Sequence, residues 1–146
     1  MKNILVAVDR PKNADQLIAY AVKIAKLTDA KIWIIHVTAD NPKDFLAREA
    51  GPQYVYNKRD EEHKKEAAFL EQLAQQTIEK YDVSAKGCLI KGPVIKSLTE
   101  IVKAHNIDLV VAGHKRKHLV YGLFTENKKR DLIDELKIPL LAVPLV

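Results

Sequence analysis

The sequence predicts a single-domain α/β protein, built on an open, doubly wound and mostly parallel sheet of five strands with helices on both faces. The first observation is a set of short apolar runs without polar alternation, which is typical of strands covered on both faces. The second is that segments with helical spacing of apolar residues separate these runs. The third is length, because 146 residues suffice for one domain with a sizeable core.

The amino-terminal part of the chain supplies the first parallel crossover unit. Short apolar runs predict buried strands at Ile4–Val8 and Ile32–Val37. A turn at Asp9–Asn13 follows the first strand, and the apolar residues after it recur at helical spacing. Asn13 or Asp15 is expected to cap that helix, because both side chains accept hydrogen bonds from exposed backbone amides.

The segment Asn41–Asp60 interrupts this alternation. It contains turn formers such as Pro42, Gly51 and Pro52. A connection of this length inside a compact domain is usually a functional lid or a disordered segment, and the sequence leaves both interpretations open. A long amphipathic helix is then expected over Glu61–Tyr81.

The second half of the chain continues the alternation of strands and helices. Five elements are predicted in order: a weaker strand at Val83–Ile90, a helix from Gly92-Pro93 through Ala104, a buried strand from Leu109 that stops at Gly113, a helix from about Glu126 to Leu136, and a closing strand at Pro139–Val143. No linker, low-complexity segment or repeat divides the sequence, so residues 1–146 are expected to form one domain.

Composition narrows the class of protein. The chain is 47% apolar and 29% charged, as in soluble globular proteins. No apolar run approaches the roughly 20 residues of a membrane span, and the opening MKNILVAVDR is too short for a signal peptide, so we expect a cytoplasmic protein. The single cysteine, Cys88, fits a reducing compartment and excludes an internal disulfide. A net charge of +5 permits an acidic partner without requiring one.

The loop after the fourth strand is the first place to look for a ligand. Ligands of open α/β sheets bind beyond the carboxyl ends of the strands, and here the basic run 114–118 follows Gly113. Together with residues 128–130, this run indicates either a solvated surface or a patch that binds phosphate or nucleic acid. It lacks interleaved aromatic residues and any recognised nucleic-acid motif, which disfavours nucleic acid.

The sequence offers no arrangement of residues typical of catalysis. It contains no Ser-His-Asp pattern, Cys-His pair or P-loop, so no enzyme is predicted. His114 and His118 flank three basic residues whose charges disfavour a metal cation. His36 and Trp33 lie within a buried strand, where a hydrogen-bonded core histidine and a core indole are the expected roles.

Four stretches, taken in order and at their spacing, carry a resemblance to a known family. They are ILVAVD ending at Asp9, IWIIHV with His36, KGPVIKSLTEIVKAHNIDLVVAGHKRK and IPLLAVP. The chain resembles the universal stress protein family along essentially its whole length. The resemblance implies a sheet order of 3-2-1-4-5, a homodimer that pairs through the C-terminal strand, and an adenine-nucleotide site in one branch of the family.

The nucleoside side of that site is the better matched part. The resemblance gives Asp9 the role of the acidic residue after the first strand, places Val37 beside the base, and makes Ala112-Gly113 the phosphate turn. From the residues alone, Asp9 could equally cap the turn that follows it.

The phosphate side of the family's motif is degraded. Gly113 matches the first glycine, but Arg116 replaces the second, and Glu126-Asn127 replace the Gly-Ser pair that opens the next helix. Glycines let backbone amides approach phosphates, whereas a carboxylate at a helix N-terminus repels them. We therefore expect a non-catalytic stress-response or regulatory module with a degenerate site. The alternatives are an intact ATP or AMP sensor, in which Arg116 and Lys115 replace the lost glycines, and a basic surface that binds anions or nucleic acid.

The closing strand is expected to be an edge of the sheet. Residues 139–146 are almost wholly apolar, and an apolar edge favours pairing with another chain. Pro144 lacks an amide donor, so the predicted contact of the homodimer is short and lies around Leu141–Val143.

Overall fold

Strands and helices alternate along the described part of the chain. The structure, a computed structural model, describes residues 1–38, 53–114 and 132–145. The elements, in chain order, are β1 (Asn3–Ala7), α1 (Pro11–Thr28), β2 (Lys31–Thr38), α2 (Gln53–Tyr81), β3 (Ala85–Lys91), α3 (Val94–Ala104), β4 (Leu109–His114), α4 (Leu132–Leu136) and β5 (Leu140–Pro144).

The five strands form one sheet in the order β3-β2-β1-β4-β5. All four pairings are parallel, with β1 at the centre, where Ala7 pairs with Ile35 of β2 and Ala112 of β4. The predicted fold class and strand order are confirmed. The strand order reverses at β1, because β2 and β3 lie on one side of it and β4 and β5 on the other. Open α/β sheets bind their ligands at such a point.

Each face of the sheet has its own apolar core. Alternate residues of β1 point to opposite faces: Ile4 and Val6 pack with α1 and α2, and Leu5 packs with α3 and α4. All three side chains are fully buried. Because both faces are covered, the strands need no polar alternation, which explains the continuous apolar runs of the sequence.

Helix α1 begins without the predicted cap. It starts at Pro11, after Arg10 in extended conformation, and no side chain caps it. Proline suits this first position because its fixed φ is already helical and its missing amide would have had no partner. The expectation that Asn13 or Asp15 forms the N-cap is wrong. The helix ends at Thr28, and Asp29 after it adopts the left-handed conformation and donates its amide to the carbonyl of Ala25.

Helix α2 is longer than predicted. It begins at Gln53, not Glu61, so residues 53–60 of the segment expected to be irregular are helical. The rest of that segment, residues 41–52, lies outside the described residues. On β3, Gly87 lets this helix approach closely, because a Cβ there would lie 2.6 Å from the carbonyl carbon of Leu70 and would also meet its oxygen.

Other boundaries differ from prediction by a few residues. β3 begins at Ala85 and not at Val83, and β4 continues through His114 instead of stopping at Gly113. The predicted start of α4 near Glu126 lies outside the described residues, which show this helix from Leu132. No helix in the described ranges is long and apolar enough to cross a membrane.

The amino ends of β1 and β4 are joined by Asp108. Its carboxylate accepts hydrogen bonds from the amides of Lys2 (2.7 Å) and Asn3 (3.0 Å). These two bonds, with the positive charges of the N-terminus and Lys2, hold the pKa of Asp108 below its ordinary value although burial opposes them. The carboxylate therefore stabilises the start of the central strand while it is ionised.

Candidate functional site

The carboxyl ends of β1, β2 and β4 meet at one edge of the sheet. Parallel pairing continues beyond β1, because the amide of Val8 donates to the carbonyl of Ile35 at 2.8 Å. This register brings Asp9 to the same edge as Val37 of β2, and the pairing of Ala7 with Ala112 brings the end of β4 there as well. Four of the predicted site residues are thus brought together: Asp9, Val37, Ala112 and Gly113. We call them the nucleoside edge.

The apolar members of the nucleoside edge face the α3 and α4 side of the sheet. Ala112 is fully buried and belongs to that core, while Val37 is half-buried and packs against it. Asp9 is half-buried just after β1, immediately before α1. A flat group placed over this edge would meet an apolar wall and one carboxylate, a combination that suits a base with exocyclic donors.

Gly113 has a packing role that the sequence did not suggest. It does not adopt positive φ, since Gly92 alone among the described glycines does so, and it belongs to β4. Instead, a Cβ at Gly113 would lie 2.9 Å from Cγ of Leu145, closer still to one of its methyl carbons. Leu145 follows β5 and donates its amide to His114 at 2.9 Å. The glycine therefore makes room for the end of β5.

The predicted phosphate side cannot be located in the same way. Arg116, Glu126 and Asn127 lie outside the described residues, as do Lys115 and the rest of the basic run after His114. Their assignment stays a prediction from the sequence.

A cavity of about 270 Å³ lies on the other side of the same strand ends, and sequence reasoning missed it. It is bounded by the end of β1, the start of α1, β2 and the middle of α2. Its lining residues are Val8, Asp9, Pro11, His36, Lys65, Glu66, Phe69 and Leu70. No local pattern could have revealed it, because residues more than 50 positions apart form its walls.

His36 is hydrogen-bonded as the sequence predicted. Its Nδ1 lies 2.7 Å from the carbonyl oxygen of Val8, and since a carbonyl only accepts, Nδ1 carries the proton. Trp33 is likewise a core residue, and its indole nitrogen donates to Asn3 at 3.1 Å. Cys88 is half-buried and packs against the core on the α3 and α4 side. Within the described ranges, no three His, Cys, Asp or Glu side chains are grouped to hold a metal ion.

Comparisons with known proteins agree on one family. The sequence model of the universal stress protein family matches residues 1–144. A universal stress protein A homolog from Haemophilus influenzae is 30% identical over 145 residues, covering 99% of this chain and 96% of the relative.

Solved structures show the same fold. A universal stress protein family member from Burkholderia pseudomallei has a TM-score of 0.66 at 20% identity and covers 99% of this chain and 96% of its own. The universal stress protein of Archaeoglobus fulgidus, solved in complex with dAMP, has a TM-score of 0.62 at 15% identity and covers 98% of each chain.

Proposed function

The chain belongs to the universal stress protein family, and from this premise we propose that it is a non-catalytic regulatory binding module with a degenerate adenine-nucleotide site. Such a module acts through what it binds, so its function depends on the occupancy of the site and on assembly. Both can be argued from the residues of this chain.

The nucleoside edge is the observation that carries the proposal. Asp9, Val37, Ala112 and Gly113 stand together at the carboxyl ends of three neighbouring strands, where the fold binds ligands. The Archaeoglobus fulgidus relative, which shares this fold, binds dAMP. An apolar wall with a carboxylate beside it suits the adenine part of such a ligand.

Arg116, Glu126 and Asn127, which replace the small residues of the family's motif, support a weakened phosphate side of the site. Phosphates are held by closely approaching backbone amides and by helix N-termini, and both need residues without bulk or negative charge. Glu126 brings a carboxylate to the expected start of a helix, where it repels a phosphate and satisfies the exposed amides itself. The affinity for a nucleoside or base, relative to the affinity for ATP, should therefore be higher in this chain than in a relative that keeps the glycines.

A thermal-shift experiment tests this proposal. A ligand that binds only the native state raises the melting temperature by mass action, and a tenfold change in affinity alters this stabilisation by about 1.4 kcal/mol at saturating ligand. We expect millimolar Mg-ATP to leave the melting temperature nearly unchanged. The triple variant Arg116→Gly, Glu126→Gly, Asn127→Ser should gain a rise with ATP, and this gain should disappear when Asp9→Ala is added.

A clear rise with ATP in the wild-type chain would reject the degenerate site. It would favour the alternative, a functional ATP or AMP sensor in which Arg116 and Lys115 contact the phosphates. A rise with inorganic phosphate or polyphosphate, but not with adenosine, would favour a basic anion-binding surface instead.

We also propose that the module is a homodimer that pairs through β5. The amide of Leu145 donates to His114 and the carbonyl of Pro139 accepts from Val110, so the backbone groups of odd-numbered residues face β4. Those of Leu140 and Ala142 consequently face outward, where a second copy can pair with them.

Two details refine the predicted contact. Val143 is 2% exposed and packs in the core with α1, so it is not available to a partner. Pro144 supplies no amide, and its carbonyl accepts from Nε2 of Gln16 at 3.2 Å. The proposed antiparallel ladder is therefore centred on Leu140 and Ala142, and not on Leu141–Val143 as the sequence suggested.

A further inference from the structure

The cavity under α2 is separate from the nucleoside edge. Its core-side walls come from Val8 and Leu70, which belong to the α1 and α2 side of the sheet, whereas Val37 and Ala112 pack on the α3 and α4 side. Only Asp9 belongs to both. Two ligands can therefore approach the same strand ends from opposite faces of the sheet.

One wall of this cavity holds an unsatisfied acceptor. The Oε2 atom of Glu66 is buried and receives no hydrogen bond from the part of the chain that the structure describes. Buried carboxylate oxygens are costly to leave in this state, because water no longer solvates them and no donor replaces it. Glu66 also lines the cavity, so a molecule inside the cavity can supply the missing donor.

A second acceptor lies on the β2 side of the cavity. His36 uses its Nδ1–H to bond the carbonyl of Val8. In the neutral ring this leaves Nε2 as an acceptor, and Nε2 is the only ring nitrogen that can bond an occupant of the cavity. The Glu66 carboxylate and the His36 Nε2 atom are therefore both acceptors, and a group with several N–H donors can bond both of them.

The walls and the charges narrow the ligand further. Four of the eight described lining residues are apolar: Val8, Pro11, Phe69 and Leu70. Glu66 brings a carboxylate to the lining, while Lys65, which also lines the cavity, is exposed to solvent. A charge-assisted hydrogen bond to the Glu66 carboxylate favours a cationic occupant.

The volume sets the size of the ligand. An engineered apolar cavity of about 150 Å³ holds benzene, so about 270 Å³ accommodates one ring with a short chain. We propose that this cavity binds a compact arylalkyl amine, whose ring contacts Phe69 and Leu70 and whose ammonium group donates to Glu66 and His36. This site shares Asp9 with the adenine-nucleotide site but lies on the other face of the sheet, and its ligand belongs to a different chemical class.

Phenethylamine and 2-phenylethanol are the matched probes, because they share a skeleton and differ in the ammonium group. Calorimetry or NMR titration should give phenethylamine a dissociation constant of about 1 mM or lower. The alcohol should bind roughly tenfold more weakly, since a charge-assisted hydrogen bond is lost. Glu66→Gln should reduce amine affinity by roughly tenfold and bring the two probes to similar affinities. Glu62→Gln, an exposed neighbour on α2 that does not line the cavity, should change neither.

Methyl chemical shifts locate the binding. The amine should perturb Val8 and Leu70 more than Val37 and Ala112, and excess adenosine should leave these perturbations unchanged. Equal affinity of amine and alcohol for the wild-type chain overturns the proposal without any variant. So does displacement of the amine by adenosine, which would make the cavity part of the nucleotide site. Perturbation confined to Val37 and Ala112 overturns it as well.

Discussion

Gly113→Ala should destabilise the wild-type chain but stabilise a chain that carries Leu145→Ala. In a strand interior, alanine is favoured over glycine by about 0.5–1 kcal/mol, because it loses less backbone freedom on folding. At Gly113 the new Cβ would lie 2.9 Å from Cγ of Leu145, and overpacking of this kind costs about 1–3 kcal/mol. Leu145 is half-buried and its side chain can yield, which places the cost at the lower end of that range. The net loss should be about 0.5–1 kcal/mol.

In the Leu145→Ala background the obstacle is gone and only the gain from alanine remains. The two substitutions should therefore couple by about 1–2 kcal/mol, with a change of sign for Gly113→Ala. Chemical denaturation of the wild-type chain, both single variants and the double variant measures this coupling directly. Effects that add within about 0.5 kcal/mol would refute the packing role of Gly113. The phosphate turn would then be the remaining explanation for the glycine.

Three further predictions follow from other contacts. Gly87→Ala should lower the free energy of unfolding by about 3 kcal/mol, more than Gly113→Ala, because the new Cβ meets the backbone of Leu70, which cannot move without α2. A smaller loss of stability than for Gly113→Ala would contradict this. Asp108→Asn should lower the melting temperature at neutral pH. Because the folded pKa of Asp108 is depressed, the stability that its carboxylate contributes is present above the unfolded pKa and is lost as the pH falls through the folded pKa. A difference in melting temperature between wild type and variant that persists at pH 2 would be inconsistent with this. Ala142→Lys should convert the proposed dimer to monomer in sedimentation equilibrium. Ala104→Lys, also at an exposed alanine, should not. A mass near 16.5 kDa for the wild-type chain at all concentrations rejects the dimer.

The sequence predicts the sheet well because both of its faces are covered. A run such as Leu109–Ala112 has to be a buried strand, and strands that alternate with helices leave few topologies. Helix starts are less well determined. Pro11 marks the start of α1, whereas the general preference for a polar N-cap favours Asn13 and Asp15. The first turns of α2, after Gln53, carry too few apolar residues at helical spacing to be distinguished from a loop.

The candidate site was also predicted only in part. The rule that ligands bind at carboxyl strand ends is a property of the fold, so it placed Asp9 and Gly113 correctly at one edge. The contact of Gly113 with Leu145, and the cavity beside Glu66, depend on which side chains meet after folding. Neither leaves a periodic pattern in the sequence, so both are apparent only in the folded structure.

Asp9 links the two proposed binding sites, and this decides how ligand experiments are interpreted. It belongs to the nucleoside edge and also lines the cavity under α2. Loss of a ligand response in Asp9→Ala therefore cannot identify the site, because either ligand would lose a neighbouring carboxylate. Glu66→Gln resolves this, since Glu66 lines the cavity and is not part of the nucleoside edge. A response that disappears with Asp9→Ala and survives Glu66→Gln belongs to the nucleoside edge, and one that both variants remove belongs to the cavity.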